Sequence, residues 1–262
     1  MKQRAYSISF IGAGNVAWHL APALENAGHY VKEVYSKTGD SATKLIGNLY
    51  DAALKENLDF TDSPSQIFIL AIPDDAIKAV VKEIVLPEQS ILAHTSGSKG
   101  IDELTYAAAS ANGVFYPLQT FSKVRKVSFD NIPFFIESDH EQAGKILTSL
   151  AKSISKSVQI VSSEQRAQMH LAAVFACNFT NHLMSISEDL LKDAKLDFGL
   201  LRPLIAETIE KSINLSPKNA QTGPAKRGDV ETLDKHMEML SGNESLQEIY
   251  RMISQHILDS YQ

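Results

Sequence analysis

Cysteine is almost missing from this chain: Cys177 is the only one among 262 residues. No internal disulfide can form, which suits a reducing compartment. Long basic runs are missing too. With 25 Lys and Arg against 31 Asp and Glu, and a net charge of −6, the chain lacks the clustered cations that bind a phosphate backbone, and no nucleic-acid partner is expected. No apolar run reaches the roughly 18 residues that span a membrane, so no membrane partner is expected. The stretch Tyr6–Ile11 behind Lys2 and Arg4 is too short for a signal-peptide core and runs into glycine. A cytoplasmic location is the resulting expectation. The histidines show no ligand spacing, so no metal is expected, and there is no nucleophile elbow or ATP-type phosphate loop. Cys177, within the apolar run 172–179, is expected to be a small buried hydrophobe.

What is present is an alternation. Strand-like runs at Ser7–Ile11, Val31–Tyr35, Ile67–Ile72, Ser90–His94, Val114–Tyr116, Phe134–Glu137 and Val158–Val161 are mostly separated by segments of helical length. Strands alternating with helices predict an α/β fold with a Rossmann-type, mostly parallel sheet. After Val161 no strand signal follows. Ser162 or Ser163 can cap a long helix to about Ala194, and further helices are expected at about Leu200–Leu215, Val230–Leu240 and Glu244–Ser260, with Asp229 and Asn243 as N-caps of the last two. The predicted organisation is a dinucleotide-binding domain at 1–161 and an all-helical C-terminal domain at 162–262.

The loop Gly12-Ala13-Gly14-Asn15-Val16-Ala17 lies between the first strand and a helix that ends near Gly28. A lone glycine pattern is weak, but this context gives each residue a task. Gly12 permits the turn, Gly14 lets backbone approach a pyrophosphate, and Ala17 allows helix–strand packing. Pro22 falls inside that helix, where a kink is expected. At the end of the second strand, where NAD sites place a carboxylate on the ribose 2′-OH, the chain reads Tyr35-Ser36-Lys37-Thr38. Two hydroxyls and a cation suit a 2′-phosphate, so NADP is the expected cofactor and NAD the weaker fit.

Taken together, the loop, Ser36-Lys37-Thr38 and Ala71-Ile72-Pro73-Asp74 resemble the NADP-binding domain of the pyrroline-carboxylate reductase and deazaflavin-dependent NADP oxidoreductase group. His94-Thr95-Ser96-Gly97, Tyr116-Pro117-Leu118-Gln119-Thr120-Phe121, the helix around His170–Asn178 and Thr222–Asp229 resemble, more narrowly, a family of NADP oxidoreductases. In that family a Rossmann-like domain precedes a helical domain of unknown function. The resemblance covers nearly the whole chain. It implies a 6-phosphogluconate-dehydrogenase-like fold and a homodimer formed through the helical domain, but no substrate. Two departures limit what it carries. Tyr116 stands where many relatives have His, and the Lys-x-x-x-Asn pair of the hydroxyacid dehydrogenases is not visible in the long helix. Catalytic roles are therefore not transferred from those enzymes.

Ligands of open α/β sheets sit beyond the carboxyl ends of the strands. Ala71, Ile72, Pro73 and Thr95 fall there as cofactor contacts, with Asp74 or Asp75 expected to cap the next helix. His94, also at a strand end, is either a proton donor or a histidine satisfied by loop backbone. Gln119 is a candidate substrate contact. On the long helix, Arg166, His170, Asn178, Asn181 and Ser185 fall within an arc of about 120° at 100° per residue. They form either a substrate site, with His170 and Asn178 catalytic, or a hydrogen-bond network at a dimer core. Arg227 can grip a substrate carboxylate or pair with an acidic residue of a second subunit. The functions these readings support are an NADP-dependent oxidoreductase for a small carbonyl or imine substrate and, as the alternative, a non-catalytic NADP-binding sensor or assembly protein.

Overall fold

The computed structural model describes residues 4–261. Eight strands form one sheet: β1 (Ser7–Ile11), β2 (Tyr30–Tyr35), β3 (Ala53–Lys55), β4 (Ile67–Leu70), β5 (Ile91–His94), β6 (Ala111–Pro117), β7 (Phe134–Ser138) and β8 (Val158–Ile160). Their order is β3-β2-β1-β4-β5-β6-β7-β8. Every neighbouring pair is parallel except β6–β7, which is antiparallel. The direction of strand numbering reverses between β1 and β4, and the crevice above their carboxyl ends is where such sheets bind ligands.

Seven of the eight strands lie where the apolar runs predict them. The eighth, β3, is a three-residue edge strand whose Ala53 and Leu54 are exposed. An exposed edge needs no apolar run, so nothing in the sequence marks it. All four residues of β4 are buried, as befits a central strand covered on both faces. Alternate side chains feed two cores. Ile8, Phe10, Val34, Ile69 and Phe115 pack in one with Leu20 and Leu24. Ile11, Phe68, Leu70 and Leu92 pack in the other with Ile77 and Val81. Complete burial of a side chain such as Phe10 or Phe68 contributes about 2–3 kcal/mol each.

The helices that cover this sheet are α1 (Asn15–Asn26), α2 (Gly39–Ile46), α3 (Ile77–Glu83) and α4 (Glu141–Lys152). Pro22 does not end α1, which runs on to Asn26, and Gly28 follows its C-terminus at φ +91°. That left-handed conformation is the one glycine adopts without strain. Beyond β8 the described residues are helical. They comprise α5 (Ser163–Ala173), a π-helical stretch at Val174–Phe179, α6 (Thr180–Asp193), α7 (Arg202–Leu215), two short helices α8 (Pro217–Ala220) and α9 (Pro224–Arg227), α10 (Val230–Met239) and α11 (Glu244–Tyr261). Ser162 starts α5 through a capping box with Gln165. Asp229 caps α10 by accepting from the Thr232 N–H at 3.2 Å, and Asn243 accepts from the Leu246 N–H at 3.1 Å.

The fold is thus α/β with a mostly parallel sheet, followed by a helical region. The change from strands to helices comes at Ser163, but the division into compact units falls later, between Thr180 and Asn181. The sheet unit keeps α5 and the π stretch. No helix among the described residues is long and apolar enough to cross a membrane.

Candidate active site

The glycine loop is held at the end of β1 by the Gly12 N–H, which donates to the Tyr35 carbonyl at 2.7 Å and so sets the end of β2 beside it. Gly12 has φ +108°, and a Cβ there would meet the Ala71 carbonyl oxygen at 2.2 Å. No other residue fits. Gly14 differs: a Cβ would meet protein no closer than 3.8 Å, on Ala71 O. The protein's own packing does not require glycine at Gly14, whereas a ligand approaching the backbone there would. Gly14 precedes α1 without a side-chain cap, and no acidic residue lies in the first turn. The N–H groups at the start of α1 are left for an anion, beside the positive end of the helix dipole. Ala13, Asn15 and Val16 share this turn. A dinucleotide pyrophosphate fits these residues.

At the end of β2, Ser36 is half-buried while Lys37 and Thr38 are exposed, and Thr38 donates to Ser41 Oγ at 3.0 Å. Lys37 forms no ion pair among the described residues. The nearest carboxylate along β2, Glu33, is occupied: Ser9 donates to it at 2.8 Å and Ser63 also binds it. No acidic residue lies between Tyr35 and Thr38.

Ala71 lies against Gly12, and Ile72 and Pro73 follow it to the surface. Thr95 Oγ donates to the Leu70 carbonyl at 3.1 Å, so its hydroxyl joins the ends of β4 and β5. The capping expected of Asp74 or Asp75 is not found. A short 3-10 turn starts at Asp74 itself, with no side-chain cap. Asp74 instead accepts from Ser98 Oγ at 2.6 Å.

His94 is completely buried. The Ser96 N–H donates to its Nδ1 at 3.1 Å, which leaves the proton on Nε2 to donate to the Gly100 carbonyl at 3.2 Å. Burial, reinforced by the Arg166 charge, lowers its pKa to about 4. With both nitrogens engaged and no exposure, His94 is placed to brace the Ser96–Gly100 turn rather than to reach a substrate. These contacts are the ones the loop-backbone reading of His94 calls for.

His170 is placed differently. Its Nδ1 lies 3.1 Å from the Tyr116 hydroxyl, with the rings edge to face at 6.1 Å between centroids. Its Nε2 makes no hydrogen bond among the described residues. Gly97 closes the arrangement from behind: a Cβ there would sit 2.6 Å from His170 Nδ1 and 2.7 Å from Tyr116 Cζ. Burial raises the Tyr116 pKa above its ordinary value. A cleft of about 630 Å³ opens over this pair and is lined by Gln119, Phe121, Met169, Cys177 and Asn178 among others. Gln119 Oε1 accepts from its neighbour's Thr120 N–H at 2.7 Å, which leaves its amide NH₂ free of that turn.

The polar arc drawn on the long helix is only partly realised. It assumed a uniform 100° per residue, and the π-helical stretch at Val174–Phe179 changes the phase. Arg166 and His170 precede that stretch and keep their spacing. Arg166 turns inward, is 1% exposed, and binds Glu137 of β7 and the Lys99 carbonyl, with Ser163 Oγ at 3.2 Å. Ser163 donates in turn to Glu137 at 2.9 Å. This buried ion pair fixes the start of α5, and so the position of His170 one turn on. Asn178 lies in the π stretch yet lines the same cleft as His170. Asn181 and Ser185 belong to the helical unit, as does Arg227, which is exposed and 3.6 Å from Asp229 of its own chain. Cys177 is exposed rather than buried, as are Phe175 and Phe179 beside it.

Three residues here escaped the sequence reading as site candidates. Tyr116 carries no site signal of its own in the sequence, Glu137 lies 29 residues from the arginine it neutralises, and Lys123 donates to the Ala13 carbonyl across 110 residues at 3.1 Å. Contacts so distant in sequence leave no periodic signal.

Residues 1–117 match the model described as a Rossmann-like domain, and residues 132–257 match a domain of unknown function, DUF2520. A crystal structure of a Bacteroides fragilis protein, provisionally named an NADP oxidoreductase, is 38% identical; the match covers 97% of this chain and 98% of that one, with a TM-score of 0.90. The chain belongs to this family, in which a Rossmann-like domain precedes DUF2520. A protein of Thermotoga maritima is 22% identical over 97% of this chain and 99% of its own, with a TM-score of 0.76. A reductive aminase from Aspergillus terreus, in complex with NADPH and ethyl levulinate, is 12% identical over 98% of this chain and 95% of its own, with a TM-score of 0.73. Those two likenesses are of fold. No curated protein matches the sequence.

Proposed function

We propose that this family member is an NADP-dependent oxidoreductase that reduces a small carbonyl or imine substrate in the cleft over Tyr116 and His170. The observation that carries the reading is the Tyr116–His170 pair, a polar dyad in an otherwise largely apolar cleft. Its wall continues through Phe121 to the first helix of the dinucleotide loop, since Phe121 stacks on His19 of α1 at 5.6 Å between centroids.

The nicotinamide, when bound, supplies the hydride. The remaining requirement is a proton at the substrate heteroatom, and His170 Nε2 is the ring nitrogen left to provide it. Tyr116 holds Nδ1 and fixes the ring's direction. The Asn178 amide and Gln119 NH₂ orient the C=O or C=N group. Ser36, Lys37 and Thr38 select the 2′-phosphate of NADP. That choice rests on these side chains alone, since proteins of the same fold were crystallised with NADPH and with NAD+.

A homodimer is part of the proposal. In the helical unit the buried apolar side chains among the described residues are Ala220, Ala225 and Leu233, too few for an independent core. Leu200, Leu204 and Ile213 there, and Leu171 and Phe175 in the sheet unit, are exposed. A second copy covering such faces accounts for them. Sedimentation velocity checks this, and a monomer at micromolar concentration would refute it.

The functional test is NADPH oxidation, followed at the nicotinamide absorbance, with a panel of 2-oxo acids, β-carbonyl compounds and cyclic imines. Turnover that disappears in His170→Asn supports the assignment. Tight NADPH binding without turnover on any member favours the sensor reading. Failure to bind either nicotinamide dinucleotide removes both.

A further inference from the structure

The segment from Gln119 to Phe129 contains Lys123, Arg125 and Lys126 and no carboxylate. It reaches back over the first turns of α1 through four contacts. Lys123 Nζ donates to the Ala13 carbonyl at 3.1 Å and lies 4.8 Å from the centre of the Trp18 ring. The Ser122 carbonyl is 2.9 Å from His19 Nε2, and Phe121 stacks on the same imidazole. The result places an ammonium group beside the start of α1, where the helix already presents unpaired N–H groups and its positive dipole end. The Ala13 carbonyl and the Trp18 ring hold the ammonium in this place, and no acidic side chain in the first turn of α1 neutralises it. An anion bound at the start of α1 would meet both the helix N–H groups and this cation.

We propose that Lys123 is a cofactor-binding residue that clamps the dinucleotide pyrophosphate against the Gly12–Val16 loop, opposite the N-terminus of α1. This rests on the dinucleotide reading of that loop, though not on the choice of NADP over NAD. Because Gln119 and Phe121 of the same segment line the cleft, the clamp ties cofactor binding to the shape of the substrate site.

The pyrophosphate is common to NADPH, NADH and ADP, so a clamp on it has a signature that Lys37 cannot share. Lys123→Met keeps the apolar stem over Trp18 and removes the charge. Titrations of the full chain with NADPH, NADH and ADP, at low and at high salt, are expected to show affinity reduced about tenfold or more for all three in this variant, with a shallower salt dependence and an unchanged melting temperature. Lys123→Arg retains the cation and is expected to recover most of the loss, which keeps the test informative if the methionine variant is unstable. Unchanged affinities, or a loss confined to NADPH, would overturn the clamp. Equal wild-type affinity for NADPH and NADH, with all three ligands weakened in Lys123→Met, would uphold the clamp and refute the NADP preference. Wild-type protein that binds none of the three ligands would overturn both.

Discussion

Tyr116 and His170 lie 54 residues apart in the chain and meet at 3.1 Å between the phenol oxygen and Nδ1. Gly97 is the residue that lets them meet. Gly97→Ala would place a methyl within 2.7 Å of both side chains, a separation that forces one ring away. Turnover on any substrate found in the panel is expected to fall by at least about tenfold, while NADPH affinity, measured by fluorescence titration, stays within about twofold. Parallel loss of both would show that the dyad is not specific to the chemical step. Since burial raises the Tyr116 pKa, the phenol keeps its proton throughout the neutral range. Tyr116→Phe should therefore lower kcat across the whole neutral range without moving its pH optimum to the position of a phenol ionisation.

The Arg166–Glu137 pair makes a prediction about stability. Arg166 is 1% exposed and the Glu137 side chain 18%. Removing one partner leaves the other charge desolvated, at a cost of about 3–5 kcal/mol. Glu137→Gln and Arg166→Met are each expected to lower the melting temperature by several degrees. The double variant should be less destabilised than the sum of the two. Additive losses in this double-mutant cycle would show that the pair is not coupled.

His94 gives a pH dependence whose sign follows from linkage. Its pKa is about 4 in the folded chain and ordinary, near 6.5, when unfolded. Between those values the unfolded state binds the extra proton. The stability His94 contributes is complete above about pH 6.5 and is lost as pH falls towards 4, by roughly 3 kcal/mol. Urea unfolding between pH 4.5 and 7 should show this slope, and His94→Gln should flatten it. An unchanged slope would mean that other groups carry the acid lability.

Lys37 tests the cofactor preference. Lys37→Glu sets a carboxylate where the 2′-phosphate is proposed to lie, so NADPH affinity is expected to fall at least about tenfold more than NADH affinity. Equal effects on the two dinucleotides, measured by isothermal titration, would refute the role given to the Ser36–Thr38 segment.

The alternation of apolar runs and the placement of glycines determined the sheet, the glycine loop after β1 and the helical C-terminal part. These are local features: a buried strand must be apolar, and a turn at φ +108° must be Gly12. The absence of a carboxylate after Tyr35 was equally legible. Periodicity failed where its assumption of a constant helical turn failed, at the π stretch before Asn178. It was silent where burial does not apply, as at exposed β3. Only the tertiary structure distinguishes the surroundings of the two histidines. His94 and His170 are each a lone histidine beside small polar or apolar residues in the chain. One is enclosed, with both nitrogens bound to loop backbone, and the other has a tyrosine on one nitrogen and a cleft before it. Hydrogen-bond partners brought from 54, 29 and 110 residues away for His170, Arg166 and Lys123 are set by how the strands stack, and no pattern along the chain records them.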